Sequence, residues 1–342
     1  MADDGGQMHK VARQMVALGA LGALALSGTL AYRLWRLDRA PAADSGELRV
    51  AAFEQQVQAF AEVDERLILY QETAALVPPG LRSLAAIAVD GDDRIYAGGG
   101  PRLSVFTAQG EAIRQMPTEG DITALALDEE NNLYVGLGNA VHAYDADGAK
   151  TAVFSGIRPD AIVTSLAAGY GKVFVADAQS RTVLRFTPDG TLQRTIDGRD
   201  ENGVGPGFVA PSPSFALTLG AGRTLWIVNP GRHRLDEYNF DGERIHGWSR
   251  GSGLALEAFS GCCNPCHVAR LSDGSLVTSE KGLPRVKVYT RRGDFVGVVA
   301  APNQFDSRTP NLALAVDVRD RILVADPDRM QVRVFEKGTV KN

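Results

Sequence analysis

The chain has 342 residues, a formal charge of −5, 44% hydrophobic and 23% charged side chains. This is a globular composition with both charge signs interspersed; it excludes a disordered chain and gives no basic patch for nucleic acid. Three cysteines, all within five residues of one another, are too few for a disulfide scaffold.

Met15 to Tyr32 is an uncharged run of eighteen residues. As a helix it would be about 27 Å long, enough for a bilayer core. Lys10 and Arg13 precede it, and Arg33, Trp35, Arg36 and Arg39 come after it. The run exceeds the usual apolar core of a secretory signal, so residues 1–39 read as a tail and a retained transmembrane anchor; a cleaved signal peptide is the alternative. Positive charge flanks both ends, slightly more on the C-terminal side, which by the positive-inside rule would keep residues 40–342 in the cytoplasm. An N-terminal signal-anchor most often exports what comes after it, so the expected place is outside the cytoplasm, in a periplasm-like space. Residues 40–65 read as a linker and a short amphipathic helix, with Val50, Phe53, Val57, Phe60 and Leu67 at three- and four-residue steps.

From residue 66 onward six segments can be written over one another. Each has an apolar strand, a turn rich in Asp, Gly or Asn, a second strand, a polar turn and a third strand ending in an aromatic. The aromatics are Phe106, Tyr144, Phe186, Tyr238, Tyr289 and Phe335. A glycine comes after each: Gly110, Gly148, Gly190, Gly242, Gly293 and Gly338. Their spacing runs from 38 residues (Gly110 to Gly148) to 52 (Gly190 to Gly242), the range of propeller blades. Small sheets apolar on both faces cannot stand alone and must stack radially. The fold class expected is therefore all-β, a six-bladed β-propeller over 66–342, preceded by a transmembrane helix and a short amphipathic helix. The sixth repeat lacks a fourth strand, and the orphan strand pattern Arg66–Glu72 is expected to supply it and close the ring.

The repeats resemble the NHL family. The residues that carry the likeness are the strand ends Val175-Ala176-Asp177 and Val324-Ala325-Asp326, the third-strand start Arg285-Val286, the Pro-x-x-apolar-Ala blade entry and the closing glycine. Repeats one and two depart from it, with Gly98-Gly99 and Gly136-Leu137 where an acid is expected. The resemblance implies a propeller and little about activity, since such propellers serve as lyases, lactonases, sensors and protein-binding scaffolds. Three insertions, 197–214, 249–264 and 300–312, join the end of one blade to the next and should crowd one face.

Chemistry is concentrated in Cys262-Cys263-Asn264-Pro265-Cys266-His267. Cys263-x-x-Cys266-His267 has the form of a c-type haem attachment site, two thiols for thioethers and an imidazole for the iron. The second axial ligand would come from Met116, Met330, His233 or His246. A thiolate-bound metal ion on Cys262, Cys263, Cys266 and His267, or a local disulfide, is a second reading. The third is that the cysteines are small buried hydrophobes at a blade entry. Asp177, Asn229, Glu280 and Asp326 occupy equivalent positions and are either turn caps or a polar ring. Arg232-His233-Arg234 reads as surface charge. The functional expectation is a membrane-tethered binding or assembly module, with a protein partner or small ligand on the insertion-bearing face. The alternatives are a haem electron-transfer protein and a propeller hydrolase or lyase of the lactonase type.

Overall fold

The computed structural model describes residues 62–199, 203–251, 253, 255–261 and 263–338. Among them are 24 strands in six four-stranded antiparallel sheets. The first strand, β1 (Tyr70–Leu76), belongs to the last blade. Blade one is β2 (Ala86–Val89), β3 (Ile95–Gly98), β4 (Arg102–Phe106) and β5 (Ala112–Pro117). Blade two is β6 (Ala124–Leu127), β7 (Leu133–Gly136), β8 (Val141–Tyr144) and β9 (Lys150–Val153). Blade three is β10 (Val163–Gly169), β11 (Lys172–Asp177), β12 (Thr182–Phe186) and β13 (Leu192–Ile196). Blade four is β14 (Leu217–Leu219), β15 (Thr224–Asn229), β16 (Arg234–Asn239) and β17 (Arg244–Ser249). Blade five is β18 (His267–Arg270), β19 (Leu276–Glu280), β20 (Arg285–Tyr289) and β21 (Phe295–Ala300). Blade six is β22 (Ala313–Val316), β23 (Ile322–Asp326), β24 (Gln331–Lys337) and β1.

The molecule is a six-bladed β-propeller. Each innermost strand touches the innermost strands of both neighbouring blades, including β22 against β2, so the ring is closed. Apolar residues on both faces of each blade form a core with each neighbour. Between blades four and five Trp226, Val228 and Leu235 meet Val268, Leu276 and Tyr289. Between blades six and one Leu323, Val332 and Val334 meet Ile87, Ile95 and Phe106.

The repeated aromatics and glycines have a single physical explanation. All six aromatics are buried, between 0% and 6% exposed, where the third strand faces a neighbouring blade. In the turn after it, Gly293 has φ +89°, and a Cβ there would stand 2.5 Å from the Trp248 ring on the outer strand of blade four. The turn thus needs a positive φ and a bare backbone, and only glycine gives both. Gly338 has no such turn to make: its N–H donates at 2.8 Å to the carbonyl of Leu69, the residue before the strand that closes the ring.

That closure is as expected in kind and shifted in place. The outer strand of blade six is Tyr70–Leu76 rather than Arg66–Glu72, pairing with β24 from Tyr70↔Lys337 to Leu76↔Val332. Glu65–Leu67 is a single 3-10 turn capped by Asp64. Ile68 then forms a parallel bridge with Val298, and Leu69 N–H donates to Val298 O at 3.0 Å. Ile68 and the Leu69 N–H are taken up by blade five, the Leu69 carbonyl already meets Gly338 N–H, and the ladder with β24 begins at Tyr70. The expected anchor, Met15–Tyr32, and most of the amphipathic segment lie outside the described residues. Among the described residues no helix is long and apolar enough to cross a membrane.

Four antiparallel strands per blade put every connection from a fourth strand to the next first strand on one face. The turns between second and third strands share it; we call it the entry face. The three insertions are all of this type. The remaining turns lie on the opposite, turn face.

Candidate functional site

Two places could carry function: the entry face with its insertions, and the channel that the innermost strands enclose.

On the entry face, the end of the second strand holds the segment entering its own blade. Asp177 Oδ1 accepts from Ile162 N–H at 2.9 Å, Asn229 Oδ1 from Val209 N–H at 2.9 Å, and Glu280 Oε2 from Ser260 N–H at 2.6 Å. In blade six Asp326 pairs with Arg333, whose Nη1 donates to Gln304 O at 2.9 Å. The equivalent acids and amide are therefore clamps on the connections. In blade one the backbone of Ser83 lies where a Cβ on Gly99 would stand, so the short connection packs directly on glycine instead.

Blade five has the most elaborate clamp. Glu280, Arg285 and Lys287 are all fully buried. Glu280 Oε1 accepts from Arg285 Nε at 2.8 Å and Lys287 Nζ at 2.6 Å. The cations also hold the insertion's backbone: Arg285 Nη2 donates to Ala258 O at 2.8 Å, and Lys287 Nζ to Leu256 O at 2.9 Å and Ala258 O at 2.7 Å. Lys287 Nζ lies 5.0 Å from the Phe259 ring centre and 5.3 Å from that of Tyr289. Burial pushes the Lys287 ammonium down to about 8, against the pull of Glu280 in the other direction. For Glu280 burial acts upward, but Lys287 and Arg285 outweigh it and its carboxyl is held below the usual range. Blade six repeats the device, with Arg333 between Phe305 at 4.9 Å and Phe335 at 5.3 Å. A further link crosses blades: Lys281 Nζ donates to Ser212 Oγ at 2.7 Å and Ser214 Oγ at 2.9 Å, joining the first insertion to blade five.

The cysteine-rich segment ends the second insertion and enters blade five. The Asn264–Pro265 peptide is cis. Asn264 is buried and stitches the entry to the next turn: Nδ2 donates to Ser260 O at 2.6 Å and Lys281 O at 2.9 Å, and Oδ1 accepts from Lys281 N–H at 3.0 Å. Cys263 is 7% and Cys266 1% exposed. Cys266 is a free thiol whose Sγ donates to Ser279 O at 3.3 Å, inside the blade. Burial pushes it up to about 11, so it is protonated at neutral pH. His267, the next residue, lines the channel. Alternation along an extended chain sends the Cys266 and His267 side chains to opposite sides. Among the described residues no group of three His, Cys, Asp or Glu could hold a metal ion; Cys262, part of the expected ligand set, lies outside them. Of the other expected iron ligands, His233 lies against this segment, its Nε2 2.7 Å from Gly261 O. His233 is 9% exposed, so the reading of its turn as surface charge is corrected for that residue. Met116 and His246 sit on the outer strands of blades one and four.

The channel holds a cavity of about 340 Å³. Its walls are mainly alanine, leucine and valine, with His267, Asn311, Thr123 and Thr164 towards the entry face and Arg270 towards the turn face. His267 Nδ1 accepts the Leu314 N–H at 3.3 Å, so the neutral ring carries its proton on Nε2. Enclosure pushes this imidazole down to about 4. The ring is therefore neutral at pH 7. Thr123 Oγ1 and Asn311 Oδ1 are buried and have no hydrogen-bond partner.

No family profile and no curated protein matches this sequence. The fold does match solved structures. Virginiamycin B lyase from Staphylococcus aureus superimposes with a TM-score of 0.55 at 13% identity, over 78% of this chain and 99% of that one. A streptogramin B lyase gives 0.55 at 10% identity, over 79% and 97%. A chain of the mitotic checkpoint complex gives 0.57 at 11% identity, over 80% and 94%. At such identities the likeness establishes the propeller fold alone.

Proposed function

We propose that this chain is a membrane-tethered propeller of NHL type that acts as a binding module, with the entry face as its recognition surface for a protein partner. The observation that carries the reading is the clamping of the insertions. Buried carboxylates, cations and amides hold the second and third insertions, and Lys281 ties down the first. Loops fixed before binding lose little conformational entropy when a partner docks. A propeller of similar fold within the mitotic checkpoint complex fits a chain that works with protein partners. The lyase reading has a fold likeness behind it, but among the described residues the channel lining offers one imidazole and one guanidinium and no carboxylate to complete an acid–base pair. The tether is supported by the uncharged run Met15–Tyr32, with the propeller expected outside the cytoplasm.

Site-specific photo-crosslinking in cells tests this. A crosslinker at Arg308, whose side chain is 89% exposed on the third insertion, should trap one discrete partner. A crosslinker at Val318, 64% exposed on the turn face, should not. Equal patterns from both positions, or none from Arg308, would remove the proposal. Deleting residues 15–32 should release the protein from washed membranes; retention there would refute the tether.

A further inference from the structure

We propose that the central channel is a binding site for a small organic monoanion, a carboxylate on an apolar chain, with Arg270 receiving the charge. This is independent of the protein-binding reading, which concerns the entry face.

Arg270 ends the innermost strand of blade five and lines the channel cavity. Its Nε donates to Leu219 O at 3.2 Å and its Nη1 to Leu271 O at 3.3 Å. These two carbonyls pin the guanidinium across the strand ends of blades four and five. Among the described residues no carboxylate pairs with it, and its Nη2 has no hydrogen-bond partner. The buried cations, by contrast, are paired: Arg285 and Lys287 share Glu280, and Arg333 has Glu72 and Asp326. Among the described residues Arg270 is also the only charged one in the lining, apart from a histidine that is neutral at pH 7. A half-enclosed cation without a counter-ion is electrostatically unfinished, and a bound anion completes it.

The remaining walls select what the anion is attached to. Ala88, Ala126, Ala168, Ala269 and Ala315 lie along the bore, where short side chains leave an apolar space. At the other end stand the Nε2–H of His267 and the unpartnered Thr123 Oγ1 and Asn311 Oδ1, which can meet a polar group or water. His267 and Arg270 are the two ends of one strand, so these termini are about 10 Å apart. A monoanion fits better than a phosphate ester. One cation with one free donor edge matches a single charge, and a second negative charge would be left in an apolar bore.

Isothermal titration of the full chain with hexanoate, hexanamide and hexyl phosphate tests the proposal. Hexanoate should bind about tenfold more tightly than the uncharged hexanamide, the worth of one charge-assisted contact. It should also bind more tightly than hexyl phosphate. Arg270→Gln should bring hexanoate and hexanamide to within about twofold, and Arg270→Lys should keep part of the preference because it keeps the charge. Thermal melts without ligand report whether each variant folds; if the glutamine variant does not, the lysine variant carries the test. Equal binding of acid and amide by the wild type, a full preference surviving in either variant, tighter binding of the phosphate, or no hexanoate binding at millimolar concentration would each overturn it.

Discussion

His267 shows how one side chain is set by what surrounds it. The Leu314 N–H on Nδ1 and the enclosing blades keep the ring neutral, with its pKa lowered to about 4 from the ordinary 6.5. The unfolded chain therefore binds more protons than the native state between those values. Stability contributed by the neutral ring is complete above about pH 6.5 and is lost as pH falls towards 4. The loss should be at most about 3 kcal/mol, and less because the ring borders the channel. Urea melts from pH 7 to pH 4 should show this slope in the wild type and a shallower one in His267→Asn. Identical slopes would mean the imidazole is not the group responsible. Nothing in the sequence announced this: a histidine beside cysteines suggested haem iron or a thiolate-bound metal ion, and only the register of the blade turned Cys266 inward and His267 towards the bore.

At the scale of elements, the insertion between blades four and five behaves as part of blade five. Two buried cations face one buried carboxylate, and backbone carbonyls and aromatic rings complete their surroundings. Removing one member leaves the others uncompensated in a dry site, which costs about 3–5 kcal/mol. Glu280→Gln should therefore lower stability by that order and raise amide exchange in residues 255–260 ahead of the blade strands. Protection of that segment unchanged in a folded Glu280→Gln protein would show that the clamp does not hold it. Arg285, Glu280 and the aromatic positions were all visible as repeat features in the sequence. Lys287 and Phe259 were not singled out, because a lysine in a strand and a phenylalanine in a loop ordinarily face solvent and core without meeting. Their pairing, and its echo in Arg333 and Phe305, is a product of tertiary approach.

For the whole molecule, the decisive step is closure. Blade six is completed by β1, and Ile68–Leu69 reach across to blade five, so the two ends of the propeller fasten three strands together. Every interblade core then has both its walls, and an unpaired β24 edge is avoided. A chain beginning at residue 77 should lose cooperative unfolding and melt well below the 62–342 fragment, provided that fragment folds; adding residues 62–76 as a separate peptide should restore part of the loss. A sharp, unshifted transition in the shortened chain would show that the clasp is dispensable. The sequence by itself determined the number of blades, their boundaries, the buried aromatics, the turn glycines and the side from which the ring is closed. These come from local needs: alternation of apolar residues, positive φ in turns, and sheets too small to stand alone. Tertiary structure alone decided where the clasp begins, which acids clamp which loops, which way Cys266 and His267 face, and that Arg270 stands in the channel with no paired carboxylate among the described residues. Those facts depend on groups far apart in the chain arriving at one place, and a pattern read along one strand carries no information about what will stand opposite it.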